Sequence, residues 1–239
     1  MKKLVIAHRG ASGLVKFENT LDSFQKAIDL HCDAIECDVR KTSDDILVIN
    51  HDERIDDLLI REHTYQELNN YTENKGYHFP TLIETLNLVK GKILIDIEIK
   101  EIGYEEKFLN EVLSILSINE FYVRSFYDKA LVNIHKLNKE VRVILLTGMP
   151  KPKPYLKTRW SEVFPKRRLK RCNAIAVSPY YKEMILSYPK RLKKLGYPIL
   201  VWTVNEKEDM EKYLPYVDGI VTNYPNILID VLKEKGLDK

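Results

Sequence analysis

The chain of 239 residues is 44% hydrophobic and carries a net charge of +3, which suits one large globular domain and gives no general electrostatic reason to bind nucleic acid. Its cysteines, Cys32, Cys37 and Cys172, are odd in number and match no paired metal spacing, so they fit a reduced, cytoplasmic protein. The N-terminal apolar run extends only from Leu4 to Ala7, too short for the core of a signal peptide and far short of a membrane span.

In chain order, Lys3 to Ala7 predicts a strand ending in His8-Arg9-Gly10, with Gly10 and Gly13 free to turn tightly. Thr20 is placed to cap a helix whose stripe is Leu21, Phe24, Ala27, Ile28 and Leu30. Ala34 to Val39 predicts a second strand, on which Glu36 and Asp38 project from one face while Cys37 points the other way. The turn signal Asp44-Asp45 then sends Ile46 to Asn50 back along it and brings His51 roughly opposite Asp38. From Asp52 to Pro80 the sequence is polar and rich in Asn and Tyr, with helical potential around Tyr65 to Leu68. An irregular excursion above the fold is expected there.

From Pro80 onward helical and strand-like runs alternate: helix 81–89, strand 92–99, helix 105–116, strand 121–125, helix 128–137 and strand 141–146. After an irregular basic region come strand 174–178, helix 182–195, strand 199–204, helix 206–214, strand 219–223 and a closing helix from Pro225 to Lys235. Leaving the returning strand aside, eight strands are each followed by helical sequence. That number closes a (β/α)8 TIM barrel, read as a single domain over 1–239 with 52–80 as a short insertion. An open doubly wound sheet would be announced by a Gly-rich phosphate loop after the first strand, and G-x-G-x-x-G is absent. Active sites of such barrels lie at the carboxyl ends of the strands, where His8, Glu36, Asp38, Glu98 and Lys100 fall.

Glu36, Asp38 and Glu98 converging with few sulfur or imidazole partners suit a hard divalent cation, Mg²⁺ or Ca²⁺, rather than Zn²⁺. Without a cation they would repel one another and be driven toward protonation. Arg9 and Lys100 add positive charge, and a metal, an Arg and a Lys around one point can hold a phosphate and neutralise charge on an attacked phosphoryl oxygen. His8 and His51 titrate near neutrality, so one can accept a proton from the attacking oxygen while the other donates to the leaving oxygen; the assignment adopted is His51 as base and His8 as acid. Together these groups describe phosphodiester cleavage.

The ordered elements HRGAS (8–12), ENT (18–20), D-x-I-E-x-D-V (33–39), T-x-D-x-x-x-V-x-x-H-D (42–52), P-T-L-x-E-x-L (80–86), IEIK (97–100), VWTVN (201–205) and DGIVTNYP (218–225) resemble the glycerophosphodiester phosphodiesterase family over nearly the whole chain. The resemblance implies a (β/α)8 barrel, a divalent cation on Glu36, Asp38 and Glu98, and an acid-base pair at His8 and His51. It implies hydrolysis of glycerophosphodiesters to sn-glycerol phosphate and an alcohol, in which the substrate's own glycerol hydroxyl can attack phosphorus and water opens the cyclic phosphate. It also brings Glu18 into the site as an organiser of Arg9, and Trp202 as a wall against the glycerol or leaving group. The chain departs from the family pattern at Phe17, where Pro is common, at Asp96, where Asn is common, and in a shorter excursion after His51-Asp52.

Other readings stand beside these. Lys100 could neutralise Asp96, a lysophospholipid phosphodiesterase of the same fold could use the same chemistry, and a non-catalytic barrel could bind phosphorylated ligands. Lys151 to Arg171 holds nine Lys or Arg against one acid, Glu162, with Tyr155, Trp160 and Phe164 interleaved. Such a run is either a solvated face or a loop and amphipathic helix near the mouth that draws anionic substrates or an anionic lipid surface.

Overall fold

The computed structural model describes residues 2–150, 154–184 and 187–237. From the N-terminus, β1 (Leu4–His8) leads to α1 (Leu21–Asp29), and β2 (Ala34–Lys41) turns back as β3 (Leu47–Ile49). A ribbon of β4 (Arg54–Ile55) and β5 (Leu58–Leu59), then helices α2 (Tyr65–Asn74) and α3 (Leu82–Val89), precede β6 (Leu94–Ile99). The rest alternates through α4 (Glu105–Ile115), β7 (Phe121–Ser125), α5 (Asp128–Leu137), β8 (Val143–Thr147), α6 (Tyr155–Val163), α7 (Lys166–Cys172) and β9 (Ala176–Pro179). It closes with α8 (Tyr188–Lys194), β10 (Leu200–Val201), α9 (Lys207–Tyr213), β11 (Gly219–Thr222) and α10 (Pro225–Glu234).

The strands lie side by side in the order β10, β11, β1, β2, β6, β7, β8, β9, and the two ends meet through single parallel bridges, Val177 to Ile199 and Tyr180 to Trp202. The result is a nearly closed eight-stranded parallel barrel with helices between the strands, as the strand count predicts. In this sheet, among the described residues, β3 alone runs antiparallel to its neighbour, along the outer end of β2, while β4 and β5 form a separate antiparallel ribbon. Among the described residues no helix is long and apolar enough to cross a membrane.

Because successive strand residues face opposite sides, each barrel strand is sorted into an outer and an inner row. The outer row, including Val5, Ile35, Cys37, Ile97, Val123 and Val177, packs against the helices in the main core. Cys37 is fully buried there and its thiol is pushed up by burial and the nearby carboxylates, which makes it unreactive. In the inner row Ile6, Ala34, Ile144, Ala176, Leu200 and Val221 fill the barrel floor. Above that floor the same row turns polar: Glu36 lies in register with Asp96, and Asp38 with Glu98, which is in turn beside Arg124.

The departure at Asp96 is explained by Arg124, which is buried and ion-paired with it. Burial opposes the guanidinium charge, but Asp96, Glu36 and Glu98 outweigh it and raise the Arg124 pKa. Lys100, the alternative partner read from the sequence, instead reaches Glu98 at 2.8 Å and Asp38 at 3.2 Å.

Four local expectations change. The excursion after Asp52 is ordered rather than irregular: α2 has a capping box, with Thr64 and Glu67 satisfying each other's backbone amides, and Val48, Ile55, Ile60, Leu68 and Phe79 form a small core beneath it. The basic region forms two helices, α6 and α7, although its first residues, 151–153, lie outside the described set. The predicted helix over 182–195 is a 3-10 turn at Tyr181–Glu183 followed by α8, which starts at Tyr188-Pro189 because Pro suits a first helical turn and not an interior; residues 185 and 186 lie outside the described set. The strand expected over 199–204 is shorter, β10 holding only Leu200 and Val201.

Removing one member of a buried ion pair leaves the other charge uncompensated. Arg124→Met should therefore lower the unfolding free energy by about 3–5 kcal/mol, measured by urea denaturation. Asp96→Leu combined with Arg124→Met should recover most of that loss.

Candidate active site

The first strand ends in a turn that the sequence can make only with glycine at one point. Gly10 has φ +76°, and a Cβ there would collide with the backbone of Ser23. Arg9 also takes a left-handed conformation, φ 54°, at a cost on the order of 1 kcal/mol or more. It is held by the structure around it: the Arg9 amide donates to Glu36 Oε2 at 3.1 Å, and its carbonyl accepts from the Asn19 amide at 3.0 Å and Ser23 Oγ at 2.9 Å. Ser23 belongs to the capping box that Thr20 makes at the start of α1, so the helix cap and the site share one side chain.

Glu36, Asp38 and Glu98 are all buried, and an oxygen of each lies within 4.8 Å of the others. Burial pushes Glu36 well above the usual carboxylate range, with Asp38 adding repulsion; burial also raises Glu98, against the pull of Lys100. Asp38 stays ionised: burial works against its charge, but Lys100, Arg9 and His51 hold it well below the ordinary value, and Asn19 Nδ2 donates to it at 2.9 Å. Arg9 Nε lies 3.4 Å from Asp38 and Nη1 2.6 Å from Glu18. Two cations facing three carboxylates leave one negative charge uncompensated, and the donors are all oxygen. That set fits a hard divalent ion.

The histidines are each fixed through Nδ1. His8 Nδ1 lies 2.6 Å from Asn223 Oδ1, an acceptor, so Nδ1 carries the proton and Nε2, 3.9 Å from Glu36, is free. Burial, then the neighbouring Arg9 charge, lowers the His8 pKa to about 3. His51 Nδ1 lies 2.7 Å from Asp52 Oδ1, and its carbonyl is clamped by Arg40 through Nε at 3.0 Å and Nη2 at 2.7 Å. Partial burial lowers the His51 pKa, while Asp38 and Asp52 act to raise it. The hairpin register differs by one from the expected one: the Asn50 amide donates to the Asp38 carbonyl, and His51 is the next residue along, at the rim.

One pocket of about 790 Å³ gathers His8, Arg9, Glu36, His51, Glu98, Lys100 and Trp202. Asp38 lies beneath that lining, held by Arg9 and Lys100, and Glu18 stands behind Arg9 rather than in the pocket wall. The far side is apolar, made by Phe126, Tyr127, Leu146, Met149 and Pro150. Trp202 belongs to this side, its ring edge-on to Phe126 with centroids 5.5 Å apart and its Nε1 donating to the Ser178 carbonyl at 2.9 Å. Sequence reasoning missed Asn19, Arg40, Asp52, Arg124 and Asn223 as supports. Arg124 carried a signal, a charged residue inside the strand FYVRS, whereas Asn223 is 215 residues from His8 and no local pattern links them.

Comparison with known proteins bears on the fold and the family. The model of the glycerophosphoryl diester phosphodiesterase family matches residues 8–227. The glycerophosphodiester phosphodiesterase of Caldanaerobacter subterraneus subsp. tengcongensis is 32% identical over 257 aligned positions, covering 99% of this chain and all of that protein. Among solved structures, a glycerophosphodiester phosphodiesterase from Thermotoga maritima matches with a TM-score of 0.80 at 24% identity, covering 97% of this chain and 99% of the other. A phosphodiesterase from Oleispira antarctica, solved with the product sn-glycerol-3-phosphate, matches with a TM-score of 0.80 at 22% identity and 97% coverage of both chains; at these identities the likeness speaks to fold. With the family model spanning nearly the whole barrel and a relative above 30% identity matching end to end, the chain belongs to the glycerophosphoryl diester phosphodiesterase family of enzymes.

Proposed function

We propose that this pocket hydrolyses glycerophosphodiesters to sn-glycerol phosphate and an alcohol by acid-base catalysis between His8 and His51. The observation that carries the reading is the meeting, in one pocket, of a buried three-carboxylate cluster with two histidines that each have Nδ1 engaged and Nε2 available. Glu36, Asp38 and Glu98 would hold a divalent cation, Mg²⁺ or Ca²⁺, which when bound stabilises charge on a phosphoryl oxygen and acidifies an oxygen nucleophile. Arg9 and Lys100 are the chain's own positive charges at the place where a phosphate would sit. The three cysteines are free and buried, which suits a cytoplasmic setting.

Both rings present Nδ1 to an acceptor and so share one tautomer; we assign their roles by position, opposite to those expected from the sequence. His8, buried and neutral, presents an unprotonated Nε2 beside the carboxylate cluster that can accept a proton, although burial and Arg9 make it a weak base. His51 is at the rim, about a third exposed, with Asp52 against its Nδ1 to support a charged ring although partial burial keeps its pKa lowered overall; its place at the rim makes it the donor to the leaving oxygen in this reading. The nucleophile is the substrate's glycerol hydroxyl, already tethered next to phosphorus; His8 takes its proton, His51 protonates the departing alcohol, and the roles reverse as water opens the cyclic phosphate. A second reading, a lysophospholipid phosphodiesterase using the same chemistry, is favoured by the apolar wall of Phe126, Tyr127, Leu146 and Met149, which could take part of an acyl chain.

His51→Ala should slow glycerophosphocholine turnover by about 10²–10⁴ but slow the 4-nitrophenyl ester of glycerol phosphate far less, because nitrophenolate leaves without a proton; His8→Ala should slow both, and equal losses for the two substrates in His51→Ala would count against the assignment. Thermal melting gives a second test. The folded pKa values of Glu36 and Glu98 lie above their ordinary 4.5, so without a cation the folded state binds extra protons, and that stabilisation is present at low pH and lost as pH rises through the raised values. The cation-free Tm should fall as pH rises above the ordinary carboxylate value of 4.5, the Tm increase caused by added Mg²⁺ or Ca²⁺ should grow in the same direction, and Glu98→Gln should flatten both trends.

A further inference from the structure

Helix α6 turns its large apolar side chains outward. Leu156 is 81% exposed and Trp160 69%, and Tyr155, Val163 and Phe164 are exposed as well. Leu156, Trp160 and Val163-Phe164 follow one another at helical spacing, so they form a single stripe, with the Trp160 and Phe164 rings 4.6 Å apart. The other side of the helix is bolted to the pocket rim. Buried Glu162 accepts from the amides of Gly148 and Met149, both at 2.9 Å, and Arg159 joins Glu162, Glu183 and the Met149 carbonyl. Met149 and Pro150 are themselves part of the apolar pocket wall. The exposed stripe is thus held rigidly beside the opening through which substrate enters.

Cations surround it. Arg168 and Arg171 are taken by Asp128, but Lys157, Lys166, Arg167 and Lys170 are exposed and pair with no carboxylate among the described residues. Arg191 lies over the Phe164 ring at 4.8 Å and adds another charge. Apolar and aromatic side chains ringed by Lys and Arg match the two demands of an anionic lipid surface: rings and aliphatic chains enter the headgroup region while cations meet lipid phosphates. A second copy of the chain fits poorly, since two such faces would bring like-charged rims together. A nucleic acid would satisfy the cations and leave Leu156 without a partner.

We propose that the α6 stripe and its basic surround dock the enzyme on an anionic lipid surface, with the pocket mouth next to the bilayer. The pocket's apolar wall is joined to this face through Met149 and Pro150. A phosphodiester carried by an amphiphile therefore need not leave the bilayer completely to reach His8 and His51; only this consequence rests on the hydrolysis reading, whereas docking is read without turnover.

The test is flotation of the full chain with vesicles of phosphatidylglycerol and phosphatidylcholine, against vesicles of phosphatidylcholine alone, with tryptophan fluorescence as a second readout. Partition to the anionic vesicles, weakened by salt and accompanied by a blue shift that Trp160→Phe removes, is expected. Leu156→Glu, and separately Lys166→Glu with Arg167→Glu and Lys170→Glu, should each reduce partition by about tenfold or more while leaving turnover of water-soluble glycerophosphocholine unchanged. Absence of partition, partition untouched by both variants, or a wild-type dimer in solution that Leu156→Glu disperses would overturn the proposal.

Discussion

Glu36, Asp38 and Glu98 are held together inside a barrel with little water to screen them, and like charges in such a place cannot all remain ionised unaided. Much of the molecule around them reads as a response to that constraint. Lys100 reaches Asp38 and Glu98, Arg9 reaches Asp38 from another direction, Asn19 donates to Asp38, and Arg124, paired with Asp96, stands in register beside Glu98. Even the left-handed turn at Arg9 serves this end, since it aims a backbone amide at Glu36. What these compensations leave over is a small excess of negative charge, the condition a divalent cation corrects. The fold supplies the geometry at little cost, because the strand pleat alone puts Glu36, Asp38, Asp96 and Glu98 in the inner row.

The pocket divides into two chemistries. One side is charged and carries the histidines; the other, with Phe126, Tyr127, Leu146 and Trp202, is apolar. A phosphodiester has the same division, a charged phosphorus centre and substituents of varied polarity, so on the proposed reading the charged side would fix the reaction while the apolar side would select what is attached. The apolar lining comes from β8 and from the segments after β7, β8 and β10 rather than from the strands that carry the carboxylates. Helix α6, linked to Met149 of that apolar side, carries further apolar side chains to the surface, and the docking proposed for it would tie choice of substrate to where the protein sits.

Much of this is legible in the sequence, for a physical reason. Acids in short, apolar, β-prone runs break the expected pattern at positions spaced by two, and that conflict by itself points to an inward-facing polar row. The histidines are legible by their place after strand ends. Their partners are not: Asn223 meets His8 only because β11 closes the barrel beside β1, and such pairings depend on global closure. The α2 helix is obscured by a polar composition with weak periodicity, although its Thr64-x-x-Glu67 capping box is visible. Helix α6 is obscured differently, since its large apolar residues face solvent and so produce no core-directed signal.

Whether a divalent ion occupies the Glu36–Asp38–Glu98 cluster and is needed for diester hydrolysis can be decided by calorimetric titration of Mg²⁺ or Ca²⁺ into chelator-treated protein, with glycerophosphocholine turnover followed on the same samples. One ion bound per chain, turnover that rises in proportion to occupancy, and loss of both in Glu36→Gln are expected. Full turnover in excess chelator, or ion binding indifferent to Glu36→Gln, would contradict the proposed role of the ion.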